Sequence, residues 1–180
     1  MPVMPYSRAF LLISGLFWPL AAVLAQTVTE FPVPNAGSVI APGTDGNLWY
    51  TEAGASRIAR ITPAGAVTEF PTITAGSVPL AIVAGPDGNL WFTEFSANKI
   101  GRITTAGVVT EFNVVTAASS PFGITVGSDG ALWFCERDVG KLGRITTAGA
   151  VTEFATGAIA PAFIASGPDG ALWFTASRQA

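Results

Sequence analysis

The chain has 180 residues, with 9 basic and 12 acidic side chains, a formal net charge of −3 and no histidine. Its lysines and arginines are scattered and form no basic run, so the sequence predicts no nucleic-acid-binding surface. The single cysteine, Cys135, excludes an internal disulfide. We therefore expect an apolar core alone to stabilise the fold.

The first 25 residues differ in composition from the rest. Arg8 is followed by an almost unbroken apolar stretch over 9–24, and small residues precede Gln26. This pattern is typical of a secretory signal peptide over 1–25. It predicts a secreted or periplasmic protein with no membrane attachment after cleavage. A retained signal anchor is the alternative, although the apolar stretch is shorter than the roughly 20 residues of a spanning helix.

Short strings recur through the rest of the chain. The string Gly85–Glu94 has three further copies, and the four tryptophans at their centres are Trp49, Trp91, Trp133 and Trp173. A second string, Val-Thr-Glu-Phe, also occurs four times, first at residues 28–31. Self-similarity with a period near 40 residues indicates one supersecondary unit repeated along the chain.

Each repeat predicts four antiparallel strands. In the repeat that begins at Pro79, a short apolar run ends at the Asp87-Gly88 pair, which is a strong hairpin signal. Three more strands follow, rich in aromatic and β-branched residues and separated by polar or glycine-containing turns, and the last ends at Phe112. No segment of the repeat has helical periodicity.

Four-stranded units with apolar side chains on both faces predict the blades of a β-propeller, because each blade buries what its neighbour exposes. A β-sandwich is the alternative, but independent strands would not repeat a ten-residue string four times. The predicted fold class is thus all-β, a propeller of four-stranded antiparallel blades.

About three and a half to four blades are present. They are predicted at 38–70, 79–112, 121–154 and 161–175, the last stopping after its second strand, with a lone outer strand at 26–31. The count fits either a tight four-blade ring with a defect or an open arc, and the open arc is favoured. An arc exposes two apolar faces, so we expect self-association or the loss of further blades.

The repeated strings resemble those of the virginiamycin B lyase family, also called streptogramin lyases. The strings are Asp-Gly-x-Leu-Trp-Phe-Thr-Glu, Ile-Gly-Arg-Ile-Thr and Val-x-Glu-Phe, and the resemblance covers nearly all of residues 26–175. It implies a lyase that opens the ester ring of type B streptogramin antibiotics by magnesium-dependent elimination, and hence antibiotic resistance. The alternative is a non-catalytic propeller that binds a small hydrophobic or macrocyclic ligand, or a protein.

The same resemblance makes the chain by itself a poor lyase. The family's catalytic histidines follow the proline that opens an inner strand, and the matching positions here hold Leu80, Phe122 and Ala162. A catalytic glutamate that precedes one such proline corresponds to Ser120. Histidine suits a general base near neutral pH, and none is present.

Candidate site residues remain on the rim that the inner strands share. Glu52, Glu94 and Glu136 end the second strands and match the position of a family carboxylate, and Ala176 interrupts the series. Carboxylate oxygens suit magnesium, so Glu94 and Glu136 are the candidate metal ligands. The alternative is local pairing with a cation such as Lys99. On the same rim, Phe122 would form an apolar floor for a ligand.

Other residues recur once per repeat. We expect third-strand arginines to form ion pairs with fourth-strand glutamates, namely Arg60 with Glu69, Arg102 with Glu111 and Arg144 with Glu153. We expect the tryptophans to lie in the core between blades, and the Asp-Gly pairs to form turns rather than calcium loops, because the further acidic ligands are absent. Cys135 occupies a threonine position, and core packing is its expected role.

Overall fold

The computed structural model describes residues 28–157 and 160–176. The predicted signal peptide at 1–25 therefore lies outside the described residues. The chain divides into two units, residues 1–30 and 31–180, and all regular structure that is described lies in the second. Among the described residues, no helix is long and apolar enough to cross a membrane.

The second unit is all-β and consists of four antiparallel sheets in chain order. Blade one contains β1 Ile40–Pro42, β2 Leu48–Glu52, β3 Arg57–Ile61 and β4 Val67–Pro71, with a short 3-10 turn at Ala53–Ala55. Blade two contains β5 Pro79–Ala84, β6 Leu90–Glu94, β7 Lys99–Ile103 and β8 Val109–Asn113. Blade three contains β9 Pro121–Val126, β10 Leu132–Glu136, β11 Lys141–Ile145 and β12 Val151–Ala155. The half blade contains β13 Pro161–Ser166 and β14 Leu172–Ala176.

Strands that are consecutive in sequence are neighbours in every sheet, and the inner strands β1, β5, β9 and β13 lie next to one another in that order. This arrangement confirms the predicted propeller blades, and the described sheets form an open series. Residues 28–31, within the predicted outer strand at 26–31, contain no strand. Two of the residues in that prediction, 26 and 27, lie outside the described part of the chain.

The Asp-Gly-x-Leu-Trp string folds as a turn whose acid holds the tryptophan. Asp87 accepts hydrogen bonds from the side chain of Asn89 at 2.8 Å and from Nε1 of Trp91 at 3.0 Å. Gly88 has φ +78, which suits glycine, and a Cβ on Gly85 would lie 2.4 Å from the Trp91 ring. Burial raises the pKa of Asp87, but the bonds from Trp91 and Asn89 bring it below its ordinary value. The Asp-Gly pairs are thus turns, as the sequence predicts.

Successive blades pack through two different faces. The tryptophan face of a blade carries the tryptophan of its second strand, and the leucine face carries the leucine that precedes that tryptophan. Trp49 packs on the leucine face of blade two, and Trp91 packs on that of blade three. The residues that these leucine faces contribute are Ile82, Leu90, Phe92 and Ile103 in blade two, and Ile124, Leu132, Phe134 and Ile145 in blade three. Trp49 and Trp91 are completely buried, which confirms their predicted place between blades.

The predicted ion pairs of the third-strand arginines are wrong. Arg60 lies directly opposite Thr68, so Glu69, one residue further along, points to the other face of the sheet. The Arg60 guanidinium instead lies 5.6 Å from the centre of the Trp49 ring and donates to the carbonyl of Thr105 in blade two. Arg102 repeats this contact with Trp91 and with the carbonyl of Thr147.

Arg144 differs from the other two arginines because the half blade ends after its second described strand. The turn that would receive Arg144 is absent from the described residues. Its Nε instead donates to Asp129 within blade three at 2.6 Å. This bond, more than any other, lowers the pKa of Asp129 to about 2.

Threonines of the second strands connect neighbouring inner strands. Thr93 accepts a hydrogen bond from the backbone N–H of Ala81 and donates one to the carbonyl of Phe122 in the next blade, at 2.7 Å. Thr51 makes the equivalent contact with Leu80. Cys135 is buried at the same position, and burial raises the pKa of its thiol to about 12, as expected for a packing residue.

Both ends of the series expose apolar side chains. On blade one, Ile40 is 58% exposed and Leu48 is 45% exposed. On the half blade, Trp173 is 64% exposed, whereas Trp49 and Trp91 are completely buried. The open arc therefore leaves two apolar faces uncovered, as the sequence predicts.

Replacing the turn aspartate tests how much its hydrogen bond to the buried indole contributes to stability. We expect Asp87→Ala to lower the free energy of unfolding by about 1–3 kcal/mol, because the buried Nε1–H of Trp91 loses its acceptor. Urea unfolding measures the loss. Asp169→Ala, measured at a concentration at which the chain is a single protomer, is the matched control, since Trp173 is exposed there and its indole can bond to water. Equal losses in the two variants would contradict this explanation.

Candidate functional site

The glutamates predicted on the rim are buried. Glu52, Glu94 and Glu136 end β2, β6 and β10, and none is accessible to solvent. Glu94 lies opposite Pro79 on one side and opposite Lys99 on the other, at the end of the sheet where the inner strand begins. The strand register thus brings each glutamate to the predicted end of its blade, but the side chain is enclosed there.

Each buried glutamate has a second glutamate nearby in the fourth strand. In blade two this is Glu111, which accepts hydrogen bonds from Lys99 at 2.7 Å and from both the backbone N–H and the hydroxyl of Thr74 at 2.7 Å. Lys99 therefore pairs with Glu111. The pairing of Lys99 with Glu94, which the sequence left open as an alternative, is not formed. Neither carboxylate oxygen of Glu94 has a hydrogen-bond partner among the described residues.

Blade three repeats this arrangement. Glu153 accepts hydrogen bonds from Lys141 at 2.9 Å and from the backbone N–H of Thr116 at 2.6 Å. Both carboxylate oxygens of Glu136 lack a partner among the described residues, as those of Glu94 do. The two blades therefore contain equivalent carboxyl pairs, each confined to one sheet and the loop that enters it.

Burial and like charge separate the pKa values within each pair. Burial, with the nearby charge of Glu111, raises the pKa of Glu94 to about 7. Burial and the charge of Glu153 do the same for Glu136. Burial also disfavours the charge of Glu111, but hydrogen bonds from Lys99 and Thr74 bring its pKa below the ordinary value. Near neutral pH, one member of each pair is therefore charged and the other holds a proton for much of the time.

Blade one contains a variant of this pair. Asn35 donates to Glu69 at 2.8 Å and to Glu52 at 3.3 Å, and Arg57 forms an ion pair with Glu69. Burial and the charge of Glu69 raise the pKa of Glu52. Tyr50 replaces the phenylalanine of the other blades, and burial, with the charge of Glu52, raises its pKa to about 12.

The carboxyl pairs do not fit the magnesium ion that the family resemblance implies. Magnesium requires near-octahedral coordination by oxygen ligands and water. Among the described residues, no group of three or more histidine, cysteine, aspartate or glutamate side chains could hold a metal ion. Glu94 and Glu136, the predicted ligands, are completely buried, and each is enclosed in its own blade.

An aromatic cluster lies at the start of the inner strands. The ring centre of Phe122 is 6.2 Å from that of Phe95 and 5.3 Å from that of Phe163, both in edge-to-face geometry. The guanidinium of Arg137 lies 5.2 Å from the centre of the Phe122 ring. Phe163 is 63% exposed, Arg137 is exposed, and Phe95 and Phe122 are half-buried. We call these four residues the rim cluster.

Of the rim cluster, only Phe122 was among the residues predicted from the sequence. The signal for the others is departure from the repeat. Arg137 occupies the position held by Phe95 in blade two and by Ala53 in blade one. Phe163 occupies the position held by Ala81 in blade two. These two departures from the repeat bring an exposed arginine and an exposed phenylalanine against Phe122.

Ser120 directly precedes the inner strand β9, beside the rim cluster. Its hydroxyl donates to Asp138 at 2.6 Å, and its backbone has φ +54. Val78 and Ala160, the equivalent residues before the other inner-strand prolines, have φ +53 and +50. Positive φ is strained for residues other than glycine, and most of all for β-branched valine. The same unusual turn thus places Leu80, Phe122 and Ala162 on consecutive inner strands.

The raised pKa of Glu94 predicts how stability changes with pH. A carboxyl group whose pKa is higher in the folded state stabilises the fold fully below its unfolded pKa, near 4.5, and this contribution is lost as the pH rises through about 7. We therefore expect Glu94→Gln to be more stable than the wild type at pH 8 and nearly equal to it at pH 4.5. Urea unfolding across this pH range measures the difference.

The matched control for this variant is Glu111→Gln. It removes the ion pair with Lys99, so we expect a loss of stability at pH 7 instead of a gain. A Glu94→Gln variant whose stability relative to wild type does not change between pH 4.5 and 8 would contradict the raised pKa.

Comparison with known proteins agrees with this architecture. The chain is 40% identical to virginiamycin B lyase from Staphylococcus aureus, with a TM-score of 0.81, over 85% of this chain and 54% of that one. It is 45% identical to a catalytically inactive histidine-to-alanine variant of the same enzyme solved with quinupristin, with a TM-score of 0.80, over 82% of this chain and 52% of that one. No curated protein sequence matches the chain significantly.

A more distant structure shows the fold alone. A gluconolactonase from Xanthomonas campestris is 18% identical, with a TM-score of 0.65, over 79% of this chain and 56% of that one. The chain spans about half the length of the solved lyases that it matches. The virginiamycin B lyase family model matches residues 23–180. The chain therefore belongs to the virginiamycin B lyase family.

Proposed function

We propose that this chain is a secreted propeller arc that binds a small hydrophobic or macrocyclic ligand at its rim and does not catalyse elimination by itself. The observation that carries the proposal is the absence of histidine from all 180 residues. Leu80, Phe122 and Ala162, at the positions of the family's histidines, cannot accept a proton. General-base catalysis contributes about 10²–10⁴-fold in rate, so elimination without it would be very slow.

The titratable groups that remain do not replace the missing base. Glu94 and Glu136 have pKa values of about 7, which would suit a general base, but both side chains are completely buried. A base must come within hydrogen-bond reach of the proton that it removes. The inactive histidine-to-alanine form of the Staphylococcus aureus enzyme supports the same inference, since a single histidine is decisive in that relative.

The rim cluster supports binding. Phe95, Phe122 and Phe163 present ring edges and faces to one another, and Arg137 adds a cation above Phe122. Aromatic rings offer a large apolar contact area, and a guanidinium donates hydrogen bonds to carbonyl groups. Such a surface suits a ligand with aromatic side chains and backbone carbonyls, as in a cyclic depsipeptide. The predicted signal peptide would place this surface outside the cytoplasm.

The experiment combines turnover and binding. The purified chain is incubated with quinupristin, with and without magnesium. The products are separated by chromatography, and their masses are measured by mass spectrometry. Elimination yields a linear isomer of unchanged mass, whereas hydrolysis adds one water. We expect neither product, while calorimetry with the same compound detects binding. A linear isomer that accumulates in proportion to the chain would contradict the proposed inactivity.

Two variants test the location of binding. We expect Phe122→Ala to weaken binding about tenfold, equivalent to roughly 1.4 kcal/mol, because the centre of the rim cluster is lost. Val108→Ala changes an exposed side chain on the turn between β7 and β8 and should leave the affinity unchanged. Absence of binding, or equal affinity in both variants, would contradict a ligand site at the rim.

A further inference from the structure

The leucine face of blade one has nearly the same residue types as the leucine faces that pack against a neighbouring blade. Ile40, Leu48, Tyr50 and Ile61 occupy the same repeat positions as the residues that cover Trp49 in blade two, namely Ile82, Leu90, Phe92 and Ile103. In blade one, Ile40 and Leu48 of this face are exposed while Tyr50 is buried, and the face contains a cavity of about 270 Å³. Val33, Val39, Ile40, Tyr50 and Ile61 are among the residues that line it, and all but Val33 lie in or next to the strands of blade one.

At the other end of the arc, the half blade exposes its tryptophan face. Trp173 is exposed, although it is held by Asp169 through the same indole contact that orients the buried tryptophans. Thr175 accepts a hydrogen bond from the backbone N–H of Phe163, as Thr93 does from its own inner strand. Thr93 also donates to the inner strand of the following blade, whereas Thr175 has no acceptor among the described residues.

Phe31, at the exposed end of blade one, is the type of residue on which a tryptophan stacks in the complete blades. In complete blades, the phenylalanine of the fourth strand stacks on the tryptophan of its own blade and covers a turn glycine of the next blade. Phe70 stacks on Trp49 at 5.4 Å and covers Gly107. Phe31 covers Gly65 in the same way, since a Cβ there would lie 2.1 Å from its ring, but no tryptophan stacks on it among the described residues. Trp173, conversely, stacks on no phenylalanine of a fourth strand among the residues that the structure describes.

We propose that a second copy of this chain supplies what each end lacks. The tryptophan face of the half blade of one copy packs on the leucine face of blade one of the next. Trp173 of the first copy then stacks on Phe31 of the second and fills the cavity beside Tyr50, and Thr175 donates to the inner strand of blade one. Phe163 stays in the rim cluster against Phe122.

Association with a second copy would repeat an interface that the chain already contains twice. The contacts between blades one and two and between blades two and three use the same residue types at the same repeat positions. The free ends present the two sides of that interface, one at each end of the arc. Because the two sides differ, the association is head-to-tail, and it closes into a ring or extends into a chain of copies.

The oligomeric state of the chain, purified as its host makes it, tests this proposal. Light scattering after size-exclusion chromatography should give a mass of at least two protomers. Trp173→Lys and Leu48→Lys place a charge in opposite sides of the interface, and both side chains are exposed in the protomer, so each variant should fold and elute as a single protomer. Val108→Lys, at a similarly exposed position away from both faces, should associate like the wild type.

Mixing separates head-to-tail association from other modes. Each variant retains one intact face, so an equimolar mixture of Trp173→Lys and Leu48→Lys should form pairs although neither variant does so alone. If either face bound an identical face of another copy, one of the two variants would dimerise without the other, and this result would overturn the proposal. So would a wild-type protomer mass at every concentration at which the chain is soluble, or an aggregate that neither substitution affects.

Discussion

The packing of a tryptophan face on the next leucine face is the interaction on which the rest of this structure depends. A single four-stranded sheet with apolar side chains on both sides cannot bury them alone. The Asp-Gly turn holds each indole in the position where the next blade covers it, as Asp87 does for Trp91. The guanidinium groups of Arg60 and Arg102 lie over the rings of Trp49 and Trp91 at the same interfaces. The strands, turns and repeat length all serve this contact.

A second, polar set of contacts fixes the loops that enter each blade. Thr74 and Thr116 lie in these loops, and each is bound through both its backbone and its hydroxyl by the fourth-strand glutamate of the blade it enters. These loops lead directly to the strained residues that precede β5 and β9, and so to Leu80 and Phe122 on the rim. The buried carboxyl pairs therefore position the rim, which explains why glutamates recur there without forming a metal site among the described residues.

Local sequence signals predicted the fold well, because the Asp-Gly turns, the aromatic strands and the repeat length each reflect a contact within one blade or between neighbours. Side-chain partners were harder to predict. Assigning Arg60 to Glu69 failed because a shift of one residue along a strand moves a side chain to the other face. The burial of Glu94 depends on the loop that carries Thr74, and the rim cluster joins residues of three sheets, so neither follows from periodicity.

The chain keeps the strings of its family that build blades and contains no histidine. The positions that the family resemblance assigns to catalytic histidines, on consecutive inner strands, hold apolar side chains. Propeller scaffolds separate packing from ligand binding, because packing between blades involves the sheet faces while ligands meet the ends of the strands. The proposed binding role at the rim therefore makes no demand on the contacts that hold the blades together.

Amide hydrogen exchange along the chain tests most directly whether blades are stabilised by their neighbours. The measurement uses the Leu48→Lys protomer, so that association contributes no protection. Blade two is covered on both faces, and the account predicts that β6 and β7 exchange most slowly and that β13 and β14 of the half blade exchange fastest. Equal protection of the half blade and blade two would show that each sheet is stable without its neighbours, and would contradict the account.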